Sequence, residues 1–180
     1  TRYWRDWSSD VCSSDLPTSV SGVDFLTRLG AALPQGAVGL RALWDSLAED
    51  DDAGRLIVAH YLGDAQRDLA DEVRWDEIAA GLVPSVTDDD LKRLHPSLTI
   101  MGFVPSLQLN LADGYRRLGR FDDAATALAL SLAYNDRLPA ELPHEQAYRQ
   151  MILDGQARVG RLIDAHDAAA LALPKPAQSS

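Results

Sequence analysis

Leu111-Ala112-Asp113-Gly114-Tyr115-Arg116-Arg117-Leu118-Gly119-Arg120-Phe121-Asp122-Asp123-Ala124 decides the fold of this 180-residue chain. Leu111, Ala112 and Tyr115 precede Gly119 at helical spacing; Phe121, Ala124, Leu128 and Ser131 follow it at helical spacing. Small residues on both sides let two helices approach closely, Tyr115 and Phe121 fill the gap between them, and Gly119 permits the turn that joins them. The stretch therefore predicts a helix, a tight turn and a partner helix.

Upstream, Ser21 reads as the N-cap of a first helix, with Asp24 three residues on. Phe25, Leu26, Leu29 and Leu33 form its apolar face, and Pro34-Gln35-Gly36 ends it. Val38, Leu40, Leu43, Trp44 and Leu47 make a second helix. The acidic run Glu49 to Asp52 suits the positive N-terminal end of a third, which carries Leu56, Ile57, Ala59, His60 and Tyr61. After Gln66-Arg67-Asp68, a fourth helix holds Leu69, Val73, Trp75, Ile78 and Leu82. Pro84-Ser85 breaks the pattern, and Thr87 caps a helix with three Asp in its first turn, interrupted by Pro96. Pro105 is expected to open the helix of the deciding stretch, and Pro143 another. Gly160 is expected to be a turn, with Leu162 to Leu171 as the closing helix. No alternating strand pattern is sustained. The reading is an all-α chain of about eight helices.

The deciding stretch resembles the centre of a tetratricopeptide repeat. Leu111, Ala112, Tyr115, Gly119, Phe121, Asp123 and Ala124 match that family in type and spacing; Gln108 stands where the family has Trp, and the closing Pro is displaced to Pro139. Tyr61 and Ala70 are nine apart, like Tyr115 and Ala124, and so are Gln156 and Ala165. A regular array repeats at ~34 residues; the unequal steps here read as a divergent array with residues 84–104 inserted. The runs Phe103-Val104-Pro105-Ser106-Leu107 and Asn110-Leu111-Ala112-Asp113 are similar to tetratricopeptide-like proteins of actinobacteria, a resemblance that brings no activity with it. The resemblance implies antiparallel helix pairs in a right-handed array, the first helix of each pair lining a concave face. Mapped onto this chain, that lining is Ser106, Asn110, Asp113, Arg116 and Arg117, with Arg55, Gln150, Asp154 and Arg158 from the weaker copies. Independently, Ser106, Asn110, Asp113 and Arg117 share one face of a helix by spacing. Asn and Arg on such a wall suit a peptide backbone or a carboxylate.

The first sixteen residues, TRYWRDWSSDVCSSDL, share no period with the remainder. They resemble the conceptual translation of a sequencing-adapter fragment. Residues 1–16 are therefore set aside as an artefactual tail, leaving Cys12, Trp4 and Trp7 without functional weight and the native N-terminus, a signal peptide included, open. Residues 17–173 form the helical domain; Pro174 to Ser180 is expected to be disordered. The formal charge is −10, or −9 without the tail. Such a chain repels phosphate backbones, so nucleic acid is an unexpected partner. No apolar run reaches the ~18 residues of a membrane span, and the expected setting is cytoplasmic.

His60 and Asp64 are one helical turn apart, the spacing of a His–carboxylate dyad, but no third ligand accompanies them. His95, beside Pro96, reads as capping or solvated; His144 and His166 have no partner in sequence. The acidic runs Glu49 to Asp52 and Asp88 to Asp90 lack the spaced oxygens and Gly of a calcium loop and read as solvated helix starts. No nucleophile elbow or phosphate-binding Gly loop occurs. Trp44 and Trp75 sit on apolar stripes and read as core. The expectation is a non-enzymatic protein- or peptide-binding module, with no cofactor, no metal, no membrane or nucleic-acid contact, and an open oligomeric state. Two alternatives remain: a small-molecule-binding or enzymatic helical domain using His60 and Asp64, and a fragment of a larger regulator.

Overall fold

A computed structural model describes residues 20–170 of the chain. The expectations for 1–16 and 174–180, the N-cap role of Ser21 and the side chain of His144 lie outside the described residues. Among the described residues the chain is helical and contains no strand. The helices are α1 Val20–Ala32, α2 Gly36–Ser46, α3 Asp52–Ala65, α4 Leu69–Leu82, α5 Asp88–Leu94, α6 Ile100–Arg117, α7 Phe121–Leu132 and α8 Pro143–Asp164. Short 3₁₀ turns follow α1, α4 and α7.

Local chemistry sets most boundaries. Asp51 accepts from the Gly54 N–H at 3.0 Å and starts α3; Asp68 accepts from Ala70 and Asp71 and starts α4. Thr87 and Asp90 form a reciprocal capping box at the head of α5. α5 stops at Leu94, ahead of Pro96. Gly119, at φ 76°, closes α6: its N–H donates to Arg116 O and the Arg120 N–H to Tyr115 O, the paired bonds of a Schellman end.

Three local expectations are corrected. Pro105 does not open a helix; it lies inside α6, which begins at Ile100 behind the Thr99 cap. Gly160 is no turn, because α8 runs unbroken from Pro143 to Asp164, and no closing helix begins at Leu162. The turn comes later, where His166 at φ 50° takes the position that Gly119 holds after α6. His166 N–H donates to Ile163 O and Asp167 N–H to Leu162 O, the same pair of bonds. The His166 ring lies 4.7 Å from that of Phe121, a contact to set against the left-handed conformation's cost of roughly 1–2 kcal/mol for a residue with a Cβ. Third, His95 is not solvated, although it does cap the end of α5, where its N–H donates to Leu91 O. It is buried, with Nδ1 2.8 Å from Ser97 Oγ.

One apolar core runs through all the helices, from Phe25 and Leu29 through Leu56, Val58, Leu62 and Val73 to Leu107, Leu109, Ile152 and Val159. α3 packs along α4 and α6 along α7, each pair joined by a short turn; α4 lies against α6, and α8 against both α6 and α7. Gly114 marks the closest approach of α6 to α4: a Cβ there would stand 2.5 Å from Val73 Cγ2. Trp44 and Trp75 meet edge to face at 5.0 Å, with Arg55 over Trp44 and Arg41 over Trp75. Ala124 is fully buried between α6 and α7, whereas Tyr115 and Phe121 are only half-buried.

Candidate functional site

The polar row on α6 points into the molecule rather than along an open wall. Ser106 is fully buried and its hydroxyl donates to Phe103 O. Asn110 is 3% exposed, and its amide nitrogen finds no acceptor among the described residues. Arg116 has no exposed surface. Its Nε and Nη2 donate to Asp113 Oδ1 at 3.1 and 2.6 Å, and Nη1 donates to the carbonyls of Asp167 and Ala169 beyond α8. Arg117 donates to Glu72 Oε1 of α4 at 2.8 Å and stands 3.9 Å from Asp113. Asp113 therefore holds Arg116 first and Arg117 only loosely. Arg116 and Arg117 thus reach other elements, fastening α6 to α4 and to the segment after α8. Arg55 is engaged too, stacked 4.0 Å over Trp44.

The expected residues on α8 are placed differently. Gln150, Asp154 and Arg158 are exposed, and they line an open depression of about 730 Å³ with Ala147, Met151, Gly155, Ala157 and Arg161. The described lining comes wholly from α8. Recurrence at three- and four-residue steps gathers these residues on one face, opposite the buried Ile152, Val159 and Ile163. Gln150 Nε2 donates to Asp154 Oδ1 at 2.8 Å. Arg161, Met151 and Ala157 were missed from sequence, although their helical spacing from Gln150, Asp154 and Arg158 was available once α8 is continuous.

A second cavity, about 310 Å³, brings together acidic residues that are far apart in sequence. Asp24 and Arg28 of α1, Asp50 to Asp52 at the head of α3, and Asp90 and Arg93 of α5 surround an apolar floor that includes Phe25 and Leu94. Much of this charge is already paired: Arg28 with Asp24 at 3.6 Å, and Arg93 with Asp90. The Asp90 carboxyl is held below its ordinary range by hydrogen bonds from the Thr87 hydroxyl and backbone N–H, helped by Arg93. Among the described residues no group of three His, Cys, Asp or Glu could hold a metal ion.

His60 is 1% exposed and sits in the core beside Tyr61 and Phe103, with ring centroids 5.9 and 6.3 Å away. A solute would have to open the core to reach it. Tyr115, on the α4 side, donates to Glu77 at 2.8 Å; burial and that bond push its phenol up to about 12. Among the described residues no helix is long and apolar enough to cross a membrane.

Comparison with protein-family models, curated proteins and solved structures finds no match to this chain.

Proposed function

We propose that this chain is a protein- or peptide-recognition module, built of tetratricopeptide-like antiparallel helix pairs in a right-handed array, with the outward face of α8 as its reading surface. The observation that carries the reading is the open depression on α8, where Gln150, Asp154 and Arg158 converge with an apolar Met151 and two alanines. Exposed amide, carboxylate and guanidinium groups beside apolar surface can order an extended or helical segment. The pairing of α3 with α4 and of α6 with α7, together with the repeat-like run from Leu111 to Ala124, supports the array. The α6 row contributes rigidity: Arg116 and Arg117 hold neighbouring elements in place behind that surface. With a formal charge of −10, the partner is a protein rather than a nucleic acid.

The test is paired capture from a lysate with the parent and with Ala157→Glu, which puts a charged, bulkier side chain in the depression without touching the core. A protein retained by the parent and lost with the variant supports the reading. A protein retained equally by both removes α8 as the surface.

A further inference from the structure

We infer that the partner of the α8 face is an acidic protein segment, docked with an apolar anchor toward Ala147 and Met151 and its carboxylates toward Arg158 and Arg161. The inference rests on the recognition reading above and adds the chemistry and direction of the partner. Arg28, Arg93, Arg116, Arg117 and Arg120 each close onto a carboxylate three or four residues away, whereas Arg67 and Arg74 stand exposed and singly on other elements. Arg158 has Asp154 one helical turn before it, yet Asp154 is engaged by the Gln150 amide instead. Neither Arg158 nor Arg161 forms an ion pair with a described carboxylate, and both are exposed.

Two guanidinium forks thus stand free on one side of α8. At a three-residue step their Cβ atoms are ~5–6 Å apart, a span matched by two carboxylates three or four residues apart on a partner helix. The planar fork binds a carboxylate bidentately, which an ammonium cannot do. Ahead of Asp154, whose carboxylate the Gln150 amide holds, the face carries the uncharged Ala147, Gln150 and Met151, and beyond it the two arginines, so the surface changes from apolar to cationic along the helix axis. That gradient gives the partner its direction. Away from this end of α8 the acidic chain, at −10, opposes an acidic segment, so the free arginines also supply selectivity.

The probe is a labelled synthetic amphipathic peptide with leucines toward one end and paired Glu toward the other, compared with its Gln-for-Glu and Lys-for-Glu counterparts by fluorescence anisotropy. The expected result is binding of the Glu peptide alone, weakened about tenfold or more by Arg158→Glu with Arg161→Glu and by high salt. Circular dichroism should match the parent, since both arginines are exposed. If the three peptides bind alike and Ala157→Glu abolishes all of them, the α8 face stands and the acidic partner is overturned. If the Glu peptide binds the parent and Ala157→Glu equally, both readings fall. If it does not bind the parent, the acidic partner is overturned.

Discussion

Arg116 is the residue whose placement most constrains the rest. A guanidinium stays charged at any ordinary pH, so complete burial is tolerated only with its donors engaged. Here they reach Asp113 on the same helix and two backbone carbonyls past the end of α8. Arg116→Met should therefore cost about 3–5 kcal/mol in urea unfolding, since it strands the half-buried Asp113 carboxylate and the two carbonyls. A loss below about 1 kcal/mol would show that the network adds little. His95 gives a pH-dependent expectation. Burial holds its imidazole below the ordinary value of 6.5. The unfolded chain then binds that proton more readily than the folded one. The stability tied to neutral His95 is complete above about pH 6.5 and is lost as pH falls through that value toward the lower folded one. Melting temperatures taken from about pH 8 to pH 5 should fall less steeply for His95→Gln than for the parent. Identical slopes would mean that the ring's burial has no bearing on folding.

At the scale of elements, glycine does two different things, and this explains where sequence reading succeeds and fails. Gly119 ends α6 in a left-handed turn, as its position after Leu118 led one to expect. Gly160 has the same look in sequence but lies inside α8, ahead of its end at Asp164, where a Cβ would come within 3.3 Å of Leu128 Cδ2. It serves close packing of α8 on α7, and His166 makes the turn instead. A residue string cannot separate these uses, because the need for a missing side chain comes from a neighbour distant in sequence. The same limit hid Pro105, whose place inside α6 follows from the Thr99 cap six residues earlier. The Thr87 cap was legible because its partner, Asp90, is three residues away. Two checks belong here. Gly114→Ala should destabilise by roughly 1–3 kcal/mol, since its Cβ would run into the stiff, buried Val73; unchanged stability would deny the close approach of α6 to α4. Amide exchange across 158–163 should be as slow as in the middle of α8, and rapid exchange centred on Gly160 would restore the turn.

For the whole molecule, the all-helical class was legible from apolar spacing, and the common face of Ser106, Asn110, Asp113 and Arg117 was legible from helical periodicity. Which side of that face is covered was not. α8 folds back over α6 through contacts such as the Tyr148 hydroxyl donating to Gly102 O and the buried Ile152, and no local pattern on α6 announces it. The covering helix then offers its own outer side, so the candidate surface moves from α6 to Gln150, Asp154, Arg158 and their neighbours. The acidic cavity among α1, α3 and α5 was equally invisible, because its carboxylates come from three separate stretches. Recognition is proposed to happen on α8. Backbone amide chemical shifts, followed by NMR while the acidic amphipathic peptide is added, test it most directly. The shifts should concentrate between Ala147 and Arg161 and leave α1 and α3 still. Shifts centred on the Asp24–Asp90 cavity or around His60, with α8 unmoved, would contradict it.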